Sequence, residues 1–200
     1  MAQRDLYDVF ASFRKNSITF YQAYRPEIAL PAVQNQTFAP PFSFQRMSWI
    51  KPSFLWLMHR SQWAQKKGQE HILAIELSRD HFETILDQAV LTEFVPSIHH
   101  SRDLWQDTFS QAKVHVQWDP ERAIRGQALD HYSIQIGISR HLIHDFVHDW
   151  IVSIKDVTPL AKKAFKLSRS GKLKEAQRCL PHEKAYPLDR ERFKHILPGG

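Results

Sequence analysis

Cysteine is almost absent: Cys179 is the only one in 200 residues, so no intrachain disulfide can brace the fold. Long apolar runs are missing too, and the longest, Phe54 to Met58, is far too short to span a bilayer. The opening Met-Ala-Gln-Arg-Asp lacks the apolar centre of a secretory signal. No P-loop, dinucleotide glycine fingerprint or nucleophile elbow occurs anywhere. These absences set the expectation of a cytoplasmic protein with no membrane contact. They also exclude the reaction classes that short motifs would announce.

What is present is ordinary in bulk and uneven in placement. An apolar fraction of 42% and a charged fraction of 24% suit a globular chain long enough to bury a sizeable core. Aromatics are plentiful, with six Trp and thirteen Phe, which serve either as core or as stacking surfaces for flat ligands. The net charge is +6, yet Lys155 to Gly200 holds 12 Lys and Arg against 5 Asp and Glu, while the remainder holds 15 against 16. A basic last quarter favours a polyanion such as RNA or DNA, through Lys162, Lys163, Lys166, Arg169, Lys172 and Lys174. A solvated helical face reads the same way.

The elements alternate in type. Leu6, Val9, Phe10 and Phe13 form a helical stripe and predict a helix over 3–15. SITFYQAY, 17–24, predicts a strand. Pro26 and Pro31 bracket a turn or short helix, and Pro40-Pro41 makes 38–44 an irregular loop. Residues 52–63 read as a deeply buried helix with Pro52 in its first turn. HILAIEL predicts a strand over 71–77, followed by a helix over 79–89 and another at 102–111 capped by Ser101. KVHVQW, 113–118, reads as a strand stopped by Asp119-Pro120. HYSIQIGI, 131–138, is the clearest strand: its isoleucines point one way, and Ser133, Gln135 and Gly137 the other. A helix near 140–148, a strand at 150–155 and two basic helices over 158–179 follow, then a mixed-charge tail that either folds back or stays mobile. This is an α+β chain with a mostly antiparallel sheet. It divides into a domain over 1–158 and a basic helical extension over 159–200, packed on that domain or trailing from it.

Three separated segments carry groups suited to a ligand. On the strand ending at Gly137, small residues would let a ligand approach and Gln135 would stand at the floor of a cleft. Around the helix that follows Pro52, Ser48, Trp49, Lys51, Ser53 and Arg60 surround an N-terminus whose free N–H groups suit phosphate, with Trp56, Arg60 and Trp63 on one face. At the end of the first strand, Tyr21, Gln22, Tyr24 and Arg25 suit a ribose or base. Each pattern is also one of core packing or hydration. His144 and His148 have the i, i+4 spacing of two metal ligands, with His141 nearby. No Glu follows His144 and no third ligand is evident, so no metal is expected. His99-His100 lies in a loop and is a weaker metal candidate than that pair, and no paired His and Asn or Asp motif accompanies Cys179.

The stretches YQAYRPEIALPAV, MSWIKPSFLWLMHRSQWA, HILAIEL, VHVQWDPER and SIQIGISRHLI…DWIVSIKDVT resemble, in order from about Arg4 to Ala164, a bacterial and fungal family known as domain of unknown function 4291. WIKPSFLW and VQWDPER are its most specific parts. More distantly, the order of strand, aromatic segment with Ser, and late strand with a polar residue is similar to ADP-ribosyltransferases. Those enzymes hold NAD in a cleft between two small sheets. The resemblance implies Gln22 or Tyr21 at the first catalytic position, Ser48 and Trp49 at the second, and Gln135 at the third, where the family usually has Glu. An amide there can orient a ribose hydroxyl but cannot act as a base.

The leading expectation is an ADP-ribosyltransferase-like protein that binds NAD or a related nucleotide and acts on nucleic acid. The alternative is a non-catalytic nucleic-acid-binding module that uses the basic arm and exposed aromatics. A protein-interaction or toxin–antitoxin-type domain is a third reading.

Overall fold

The computed structural model describes residues 5–199. The helix expected over 3–15 does not form in the described part of that stretch; the chain makes a short strand β1 (Phe10–Ala11) and turns instead. Leu6 is 53% exposed while Val9 and Ala11 are buried, so the apolar spacing marked alternate burial, not a helical stripe. The partner that makes β1 a strand is β9 (Lys184–Ala185), about which local pattern says nothing. Pairing runs from Phe10 to Ala185 and from Ala11 to Lys184.

Strand β2 (Ser17–Tyr24) lies where β-branched and aromatic residues placed it. Helix α1 (Pro26–Asn35) starts on Pro26, whose fixed φ suits the first turn, and carries Pro31 inside it. After the 38–44 loop come β3 (Ser48–Ile50) and α2 (Phe54–Ser61). Helix α2 is shorter than 52–63, because Ser53 is its N-cap and Gln62 turns left-handed at its end. Only Phe54, Leu57, Met58 and Ser61 of it are buried, so it covers the core with one face. Next are β4 (His71–Ser78), α3 (Arg79–Asp87), β5 (Ala89–Leu91) and α4 (Arg102–Gln111), the last capped by Ser101 as expected.

Strand β6 (Val114–Arg122) does not stop at Asp119-Pro120. Pro120 is exposed, and the register slips just beyond it, so the missing N–H is absorbed at an irregularity. Strand β7 (Ala128–Ile138) buries Ile134, Ile136 and Ile138 completely. The region near 140–148 holds one helical turn α5 (Ile143–Asp145) running into a π-helical turn over Phe146–Trp150. Then follow β8 (Ile151–Asp156), α6 (Thr158–Arg169), α7 (Leu173–Cys179), strand β9 and a 3-10 turn over Lys194–Ile196.

The fold is α+β and mostly antiparallel. One sheet has the order β2-β4-β8 and the other β3-β7-β6-β5, with a separate two-stranded β1-β9 ribbon; among the described residues only β5-β6 is parallel. Alternation along β4 splits the interior. Leu73, Ile75 and Leu77 join the main core with Phe82, Ile85 and Leu86 of α3, whereas Ile72 and Ala74 join Phe54, Met58 and Ala161 of α2 and α6 in a second one. The tail folds back: Tyr186, Phe193, Ile196 and Leu197 are buried in the main core, and the Trp118 indole donates to the Ile196 carbonyl at 2.7 Å. Among the described residues no helix is long and apolar enough to cross a membrane.

The two main sheets meet at one seam. The Tyr21 N–H of β2 donates to the Lys51 carbonyl just beyond β3 at 2.7 Å. A cleft opens beside it.

Candidate functional site

The cleft has a volume of about 640 Å³. Strand β2 supplies Gln22 and Tyr24, β3 and its end supply Ser48, Trp49 and Lys51, and α2 supplies Trp56 and Arg60. Gln117 of β6 and Gln135 of β7 stand opposite each other in register at the floor. Phe42, Arg46 and Met47 close one side. Three separated stretches of sequence thus converge, because β3 pairs with β7 while Tyr21 and Gln22 bond to β3 and the residue after it.

Gln22 is the most constrained of these groups. Its Nε2 donates to Ser48 Oγ and to the Trp49 carbonyl, both at 2.8 Å. The Trp49 carbonyl can only accept, so the amide cannot be turned the other way. Oε1 is then left buried with no hydrogen-bond partner among the described residues. A buried acceptor left empty costs about 1–3 kcal/mol. Beside it, the Tyr24 hydroxyl lies 3.4 Å from Ser48 Oγ, and burial pushes Tyr24 up to about 12, so it stays neutral. Tyr21 contributes differently. Its ring is buried edge-on to Phe54 at 5.3 Å, and burial, reinforced by the charge of Glu183, raises its pKa.

Lys51 is only 2% exposed. Its Nζ donates to Asp119 Oδ2 at 2.7 Å and sits 3.5 Å from the centroid of the Trp56 ring. Gln117 Nε2 holds the other carboxylate oxygen at 2.8 Å. Burial outweighs Asp119 and brings Lys51 down to about 8. Its charge is spent on Asp119 and on the indole, so it is not an open phosphate contact.

The helix terminus expected to take phosphate is also filled. Ser53 Oγ accepts from the Trp56 N–H at 3.1 Å and donates to Glu121 Oε1 at 2.8 Å, and Glu183 Oε1 accepts from the Phe54 N–H at 2.7 Å. Carboxylates already occupy the positive end of α2. Ser53 therefore lies outside the cleft, and so does Arg25, which is exposed and faces Glu27 at 3.8 Å. The cationic groups that remain open to the cleft are Arg46 and Arg60, both exposed.

Trp63 does not share the face of Trp56 and Arg60. Helix α2 has ended by then, and the left-handed turn at Gln62 carries the indole to the opposite side, against Phe54 and Phe165. His144 and His148 stack with Phe44 and with each other. Among the described residues no group of three or more His, Cys, Asp or Glu side chains is placed to hold a metal ion.

Sequence reading missed Gln117, Asp119 and Glu121, although they lie at period two along VHVQWDPER; taking Pro120 as a stop hid the signal. At Gly137 the space expected for a ligand is taken by side chains of the chain itself. A Cβ there would come within 2.7 Å of Met47 Sδ and 2.9 Å of Trp49 Cη2, so glycine lets the indole lie flat on the strand.

The family model described as domain of unknown function (DUF4291) matches residues 8–186. No curated protein matches the chain.

Proposed function

The chain belongs to the domain of unknown function (DUF4291) family, and we propose that its cleft binds a nucleotide of the NAD or ADP-ribose type, in the manner of an ADP-ribosyltransferase. The observation that carries this reading is the empty acceptor of Gln22, held in place by Ser48 and Trp49 and buried in a cleft rimmed by Arg46 and Arg60. A ribose hydroxyl is a donor of the right kind for Oε1. The Gln135 amide, which makes no protein hydrogen bond among the described residues, takes a second hydroxyl. Trp49 offers its indole to a flat ring, and the two arginines meet the pyrophosphate.

Transfer of an ADP-ribosyl group would break the ribose–nicotinamide bond and join the sugar carbon to an acceptor, whose proton must go to a base. Gln135 orients without accepting a proton. Lys51, paired with Asp119, lines the same cleft.

Isothermal titration with NAD, ADP-ribose and ATP tests the reading. Saturable binding of NAD or ADP-ribose is expected, weakened about tenfold or more by Gln22→Leu, since one buried polar contact is worth about 1–3 kcal/mol. Arg60→Ala should weaken NAD and ADP-ribose alike. Absence of heat with all three nucleotides would end the proposal.

A further inference from the structure

A second cleft, also about 640 Å³, opens on the other side of α2. Its walls are the turn that ends α2, the loop joining β6 to β7, and one face of α6. Trp63 and Phe165 present rings there, 5.7 Å apart and tilted by 34°. Arg125 and Arg169 bring guanidinium groups, and His59 an imidazole. No carboxylate lines it among the described residues. Burial, and behind it the charge of Arg122, lowers the pKa of His59, in keeping with a region that already holds excess positive charge.

The backbone that places Trp63 is unusual. Gln62, Trp63 and Ala64 all lie in the left-handed region, at φ 52°, 59° and 64°. For non-glycine residues this costs roughly 1–2 kcal/mol each, and such strain persists where the surroundings hold it. The result is an indole turned out of the helix into the cleft.

Charge continues beyond the opening. Lys162, Lys166 and Arg169 recur at i, i+4 and i+7 along α6, Lys172 follows the left-handed turn at Gly171 that ends it, and all four are exposed. Among the described residues only Lys172 of these has an ion-pair partner, Glu175. A strip of cations therefore runs into a cleft that holds aromatic rings.

We propose that this second cleft binds single-stranded nucleic acid, with an unpaired base against Trp63 and Phe165, flanking phosphates on Arg125 and Arg169, and the strand following the α6 cations. Rings beside cations select this occupant. A duplex keeps its bases stacked on one another and would use only the charges, whereas an unpaired base can enter and stack. The inference is independent of the nucleotide reading of the first cleft.

Fluorescence anisotropy of the full chain with a labelled single strand of about twelve nucleotides, DNA and RNA in separate arms, tests it. Binding is expected in at least one arm and should fall with salt. The double variant Arg125→Glu/Arg169→Glu should weaken it about tenfold or more and flatten the salt dependence by about 0.7 for each phosphate that the protein no longer neutralises. Arg125→Lys/Arg169→Lys should retain most of the binding. Trp63→Leu should weaken it and Trp63→Phe should largely preserve it, which separates loss of stacking from loss of fold. No binding of either strand at low salt would overturn the proposal. So would undiminished binding by the glutamate variant, or a duplex of the same sequence binding as tightly as the single strand.

Discussion

Lys51 shows how far a residue's neighbours can change its chemistry. The Lys51 of WIKPSF reads as a charge for phosphate beside a helix N-terminus, yet Asp119, brought from 68 positions away, and the Trp56 ring hold it in the interior. That placement fixes a pH response. Its ordinary pKa is 10.5 and burial brings it to about 8 in the folded chain. Below about pH 8 both states carry the proton and the folded chain bears the full burial penalty. Between about 8 and 10.5 the folded state releases its proton first, so stability rises with pH across that window. Relative to Lys51→Met, the wild-type chain should gain about 2–3 kcal/mol between about pH 7 and pH 10, read by urea unfolding at each pH. A flat difference would show that the ammonium is hydrated in solution. The residue types of the first cleft were legible: Gln22, Ser48, Trp49, Arg60 and Gln135 stood out on their segments and line one hollow. Which of them are free to act was not legible. That depends on partners such as Asp119 and Glu183, which lie far along the chain.

Among the elements, local pattern succeeded where one face carried the whole signal. β7 was legible from alternation, β2 from its β-branched and aromatic residues, and α4 from its Ser101 cap, which accepts from the Leu104 N–H at 3.2 Å. It failed where pairing was remote, as at β1, whose partner strand lies near the other end of the sequence. Helix α2 lies between these cases. Its extent follows from its caps, but its N-terminal end is completed by Glu183, which arrives from the tail. Glu183→Ala should leave the Phe54 N–H unpaired and remove a favourable charge from the helix end, lowering stability by about 1–2 kcal/mol in chemical denaturation. Glu183→Gln, which keeps an acceptor, should lose less than half of that. Equal loss in both variants would place the effect in charge alone.

On the scale of the whole molecule, the segment after Leu180 supplies part of the interior. Tyr186, Phe193, Ile196 and Leu197 are each at most 4% exposed. Burying four such side chains contributes roughly 6–12 kcal/mol as an upper bound, comparable with the entire stability of a domain. A chain ending at Leu180 should therefore lose cooperative thermal unfolding and bind a hydrophobic dye, as loosely packed states do. A sharp thermal transition near that of the intact chain would contradict this. The seam between the two sheets has its own consequence. Tyr21 and Gln22 tie β2 to the β3 segment through a few hydrogen bonds beside the first cleft. A guest grasped by Gln22 on one sheet and Gln135 on the other would stitch the two halves together, so occupancy itself would stiffen the joint and make the cleft's aperture a gauge of whether it is filled.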